Sequence, residues 1–94
     1  MVSAAMTVTV NLMAQLKAAA AQSTLTVAIA EGATMSELAS AAAAKLPPAV
    51  RALLFDERGQ VRSGMLVFSG AQQVDWTSPV AAPEITFISA ISGG

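Results

Sequence analysis

At 94 residues the chain has room for one small domain with a thin core. It contains no cysteine and no histidine, which removes disulfides, thiol nucleophiles, thiolate metal sites and imidazole acid–base chemistry together. Five basic residues against six acidic ones give a net charge of −1, and Lys17, Lys45, Arg51, Arg58 and Arg62 are too scattered for the basic stripe that a nucleic-acid binder needs.

Alanine inflates the hydrophobic fraction of 54%, and no run of roughly 18 uncharged apolar residues occurs, so no membrane-spanning helix is expected. The opening MVSAAMTV lacks the basic flank and long apolar stretch of a secretory signal. Residues 1–5 are expected to be a short disordered lead, with Met6 an alternative start. The missing disulfides fit a reducing compartment, and a cytoplasmic location is expected. Charged residues make up only 12% of the chain. Solubility normally rests on such residues, so another protein is expected to cover part of the surface, although an alanine-rich genome bias would give the same composition.

Residues 7–12, TVTVNL, alternate between polar and apolar positions, which predicts a strand with Val8, Val10 and Leu12 facing a core. AQLKAAAAQS follows as a short helical turn and loop. TLTVAIA over 24–30 repeats the alternation with Leu25, Val27 and Ile29 inward, predicting an antiparallel hairpin with a long connection. The other face of that hairpin would carry Thr7, Thr9, Thr24, Thr26 and Ala28, all uncharged, and is expected to be a docking surface.

The main helix comes next. Thr34 and Glu37 have the spacing of a capping box, and Met35, Leu38, Ala39, Ala42 and Leu46 recur on one helical face until Pro47 and Pro48 stop it. AVRALLF is a second, shorter apolar segment closed by the turn-like DERGQ. MLVFSG predicts a third strand, residues around Val74–Trp76 a short fourth one, and EITFISAI the last, with SPVAAP a loop between them. The order is β-β-α-β-β-β. A last strand that must pair centrally fits a mixed sheet with one main helix on one face, an α+β roll forming a single domain over 1–94. Trp76 is expected to cap the core rather than to anchor a partner.

No catalytic constellation emerges. Glu31, Glu37, Asp56, Glu57, Asp75 and Glu84 fall at loops, caps and strand edges, where carboxylates are structural or solvated. No phosphate-binding glycine loop and no metal-ligand spacing occur either. The remaining feature is the ending, Ile91-Ser92-Gly93-Gly94, expected to be a flexible tail over 91–94. A frayed end would explain it without function. Chemically, a terminal carboxylate is an acyl group that can be activated without touching a side chain. Glycine beside it leaves no Cβ to obstruct a nucleotide or a nucleophile, and a tail gains about 3.3 Å of reach per extended residue.

Three segments resemble one family in the correct order. MAQLK over 13–17 resembles the "FAxLR" segment that follows the first strand of molybdopterin synthase small subunits. EGATMSEL over 31–38 resembles "EGATVxDL" at that family's helix start, and EITFISAISGG over 84–94 resembles its "DEVxFxPPVSGG" ending. The chain thus resembles the ubiquitin-like sulfur carriers of the MoaD/ThiS group over nearly its whole length. Ala14-Gln15-Leu16-Lys17 favours the molybdopterin branch over the shorter thiamin carriers, whereas Ser89-Ala90 in place of Pro-Pro, AAPE in place of "DGDE" and Lys17 in place of arginine depart from the pattern.

The resemblance implies a β-grasp fold and a role that is not enzymatic by itself. An E1-like adenylyltransferase of the MoeB type would use ATP to adenylate Gly94, and a sulfur donor would convert the acyl-adenylate to a thiocarboxylate. The tail would then enter a large synthase subunit of the MoaE type, with Gly93 giving clearance and Ile91 and Ser92 lying in the channel. No stably bound cofactor, metal, nucleic acid or membrane is implied. A carrier for thiamin, cysteine or a specialised cofactor, a protein modifier joined through Gly94 to lysines, and an interaction module with an idle tail remain as alternatives.

Overall fold

The computed structural model describes residues 5–89 of the chain. Strand β1 (Ala5–Met13) follows from its alternation: Val8, Val10 and Leu12 are buried while Thr7 and Met13 are exposed. A strand's side chains point to opposite faces in turn, so one face meets the core. Ala5, expected to belong to the disordered lead, instead pairs with Ala30 of β2 (Thr24–Ala30), and the rest of that lead lies outside the described residues. Between these antiparallel strands lies α1 (Gln15–Ala20), which buries Leu16 and Ala20 against the sheet. It ends at Ala21 in the left-handed region, where the Ala21 N–H donates to the Lys17 carbonyl.

Helix α2 (Met35–Ala43) begins with the capping box that the sequence predicts. The Thr34 N–H donates to Glu37 Oε1 at 2.8 Å, and the Glu37 N–H donates to Thr34 Oγ1 at 3.2 Å. Two amides without intrahelical partners are thereby satisfied at once. Met35, Leu38, Ala39, Ala42 and Ala43 are buried, and Leu46 is half-buried. Small alanines let this helix lie close to the strands beneath it.

AVRALLF, left without an element in the sequence reading, lies in a further helix, α3 (Pro48–Leu54). Pro48 stands at its first position, where a missing N–H costs nothing and the fixed φ suits the helix. Val50 and Leu54, four residues apart, then bury together. The two prolines thus end one helix and start the next, and among the described residues the main helix α2 is accompanied by the two shorter helices α1 and α3. The following turn, DERGQ, folds on Asp56, whose Oδ1 accepts the N–H groups of Arg58 and Gln60 at 2.9 and 3.0 Å.

Strand β3 (Met65–Ser69) turns through Gly70 into β4 (Gln72–Val74), two residues earlier than predicted. Gly70 has φ +65° at the first position of a two-residue hairpin loop, a conformation that a Cβ would strain. The last strand, β5 (Glu84–Ser89), fills the centre of the five-stranded order β2-β1-β5-β3-β4, parallel to β1 and antiparallel to β3. Its inward residues Ile85 and Phe87 are fully buried between the sheet and the helices. Half-buried Trp76 closes that core as expected: its ring centroid lies 5.3 Å from that of Phe87, and Nε1 donates to the Met65 carbonyl at 3.1 Å.

Candidate functional site

The helices cover one face of the sheet and leave the other open. Thr7 and Thr9 of β1 and Thr24, Thr26 and Ala28 of β2 lie on that open face, with Thr9 opposite Thr26, Thr7 opposite Ala28 and Asn11 opposite Thr24. The sheet therefore brings the four predicted threonines together as one patch. Ile91, Ser92, Gly93 and Gly94 lie outside the described residues.

The open face is not uniformly polar and uncharged, which corrects the sequence reading. Strand pairing arranges it in rows that run across the strands. One row is Thr26, Thr9 and Glu84. The next is Thr24, Asn11, Thr86, Phe68 and Gln73. The third is Met13, Ile88 and Leu66, wholly apolar. Neighbours within a row sit on strands about 4.8 Å apart, so each row is a continuous strip. Met13 is 49% exposed, and Leu66, Phe68 and Ile88 are half-buried.

Asn11 sits where polar character gives way to apolar. Its Nδ2 donates to Glu84 Oε2 at 3.1 Å and to Thr86 Oγ1 at 3.5 Å, tying β1 to β5 on the solvent side. That bond also holds the Glu84 carboxylate against the sheet. Beside Met13 a cleft of about 510 Å³ is lined by Asn11, Ala14, Lys17 and Thr24, among others, which puts one cation at the apolar end of the face.

The sequence sets Leu66 and Phe68 against Met65 and Val67 without assigning either pair to a docking surface, and it does not single out Met13 or Ile88, although a signal for them exists. MLVFS and EITFIS carry large apolar residues at both parities, and a strand apolar on both sides has both sides covered. The helices cover only one. The apolar row also lies at the end of β5 from which the chain continues into residues 90–94. The last described residue, Ser89, points inward. It is 7% exposed, and its Oγ has no hydrogen-bond partner among the described residues.

No group of three or more metal-capable side chains occurs among the described residues, and no helix there is long and apolar enough to cross a membrane.

No family model matches the chain, and no curated protein matches it. Solved structures do. SAMP1 from Haloferax volcanii superposes with a TM-score of 0.83 at 21% identity, over 94% of this chain and 99% of that one. The small archaeal modifier protein 1 from Methanosarcina acetivorans gives 0.75 at 20% identity, over 97% and 99%. The fold is the ubiquitin-like β-grasp. A further solved structure, the HVO 2177 protein of Haloferax volcanii, matches with a TM-score of 0.76 at 14% identity over 96% of this chain and 88% of that one. Identities this low establish the architecture, and the β-grasp confirms the mixed sheet and the central last strand expected from the sequence.

Proposed function

We propose that this β-grasp protein is a carrier whose Gly94 carboxylate is activated by an E1-like enzyme and converted to a thiocarboxylate. A carboxylate oxygen attacks the α-phosphorus of ATP and pyrophosphate leaves. A sulfide equivalent then attacks the carbonyl carbon and AMP leaves. The enzyme supplies that chemistry, while this chain supplies an unhindered acyl group and a surface by which the enzyme finds it.

One observation carries the reading. The apolar row of exposed Met13 and half-buried Ile88 and Leu66 lies at the root of the segment that leads to Gly93-Gly94. A partner seated on that row is within reach of the terminal carboxylate, because five extended residues span about 17 Å. The threonine patch lies farther back on the same face and forms the polar rim of the interface. We assign the sulfur to a pterin precursor, through a large synthase subunit of the MoaE type, because MAQLK, EGATMSEL and the SGG ending resemble the molybdopterin branch together.

A second reading has its own support. The matched archaeal proteins are named as modifiers, and the same activated Gly94 could instead acylate a lysine amine. Co-expression with an E1-like enzyme and a sulfur source separates the two. The carrier reading expects intact mass spectra in which one oxygen is replaced by sulfur at the C-terminus. A ladder of conjugates lost in Gly94→Ala, with an unchanged free protein, supports the modifier. Neither product from a demonstrably active enzyme would overturn both.

A further inference from the structure

The fold gathers what the sequence scatters. Three of the five basic residues, Arg51, Arg58 and Arg62, line two adjoining clefts of about 490 and 320 Å³ on α3 and the turn that follows it. The larger cleft has an apolar floor of Pro48, Ala52 and Phe55, with Arg51 and Arg62 on its walls.

Both walls are held in place by contacts that leave their charge unspent. The Arg51 guanidinium carbon lies 5.3 Å from the centroid of the Phe55 ring. Arg62 Nε donates to the Ala52 carbonyl at 2.9 Å, which uses one of the five donors of that group. A guanidinium already stacked or tethered loses less freedom when it binds. Asp56, which also lines the cleft, directs Oδ1 to the amides of its own turn, so Glu57 is the carboxylate on the rim with no such engagement described.

We propose that this cleft docks an acidic segment of a partner protein, two carboxylates flanking one apolar side chain. Carboxylates match the two restrained forks bidentately, and the apolar residue matches the floor. A single exposed ion pair contributes little, so recognition needs both arginines and the floor together. A nucleic-acid strand fits less well, because the apolar floor of Pro48, Ala52 and Phe55 offers nothing to a continuous run of phosphates, whereas it matches an apolar side chain between two carboxylates.

Val50 and Leu54 turn α3 inward onto the core, so the arginine cleft lies on the helix side, opposite the open sheet face. A partner held there leaves the apolar row and the root of the tail free. The site is independent of the carrier chemistry and would serve equally if that reading failed.

The test is an NMR titration of the full ¹⁵N-labelled chain with the acetylated and amidated pentapeptide Asp-Glu-Leu-Asp-Glu at low salt. We expect saturable shifts confined to residues 48–62, with a dissociation constant below about 1 mM. Affinity should fall about threefold in Arg51→Gln and again with Arg62→Gln, the scale of one partly exposed ion pair each. Replacing the central leucine by glycine should weaken it further. Arg51→Gln breaks no described hydrogen bond, so it reads the site even if loss of the Arg62–Ala52 tether disturbs the turn. Absence of saturation, shifts centred on the open sheet face, equal binding by Arg51→Gln, or tighter binding of a single-stranded oligonucleotide of equal charge would each overturn the proposal.

Discussion

Two strips of the same sheet face meet solvent in opposite ways. Thr26, Thr9 and Glu84 form a polar row, and Met13, Ile88 and Leu66 form an apolar one only four residues farther along β1. Both rows belong to the same three-layered neighbourhood of strand, strand and solvent, so local geometry does not separate them. Their position does. The apolar row borders the segment leading to the C-terminus, while the polar row borders the region where β1 begins to outrun β5. On this sheet, chemistry varies along the strands, and the proposed docking surface is read row by row rather than face by face.

The strongest way to sharpen that comparison is to turn one residue over on β5. Phe87, facing the core, and Ile88, facing solvent, are adjacent, yet their substitutions should fail differently. Phe87→Ala should destabilise the domain by about 3–5 kcal/mol, the usual loss for a buried phenylalanine, seen as a lower denaturation midpoint. Activation by the enzyme should be normal in whatever fraction remains folded.

Ile88→Arg should do the reverse. Placed at the centre of the apolar row, it should reduce adenylation of the terminal carboxylate about 30-fold, as loss of an interface anchor does. Its unfolding midpoint should stay near that of the parent. An unaffected adenylation rate would move the docking surface elsewhere.

Thr9→Arg tests the polar row by the same assay. We expect a milder loss of about threefold in activation, typical of a rim position, and a stability change within about 0.5 kcal/mol. If Thr9→Arg proves more damaging than Ile88→Arg, the ranking of the two rows is wrong.

The smallest effect belongs at the end of β5. Ser89→Ala removes a buried hydroxyl whose oxygen has no described partner, so it should be neutral or stabilising by up to about 1 kcal/mol. A clear destabilisation would reveal a partner for that hydroxyl beyond residue 89.

Much of this architecture was legible from residue patterns. Period-two alternation placed Val8, Val10, Leu12, Val27 and Ile29 inward, and the Thr34–Glu37 spacing located the start of α2. Alternation works there because one strand face is wet and polar. It falls silent for MLVFS, where both parities are apolar and only the tertiary layout decides which side the helices cover, and in EITFIS it gives no notice of Ile88, which shares its face with Glu84 and Thr86. Helix α3 escaped for a related reason: seven residues give too short a stretch for helical periodicity to stand out, and Pro47-Pro48 reads as a stop before it reads as a start. The arginine cleft could not be read from the sequence, since Arg51 and Arg62 come together only when the turn at Asp56 brings the chain back against α3.

The position of β5 bears on when the protein becomes competent. Among the described residues the middle strand of the sheet is the last element in chain order, and it pairs with the first. Until it is synthesised, the β1–β2 and β3–β4 hairpins have no common neighbour, and contacts that span nearly the whole chain are slow to form. A nascent chain therefore cannot complete this sheet until β5 has been made. A chain truncated before β5 would leave the two hairpins unjoined and would offer the proposed activating enzyme no finished surface.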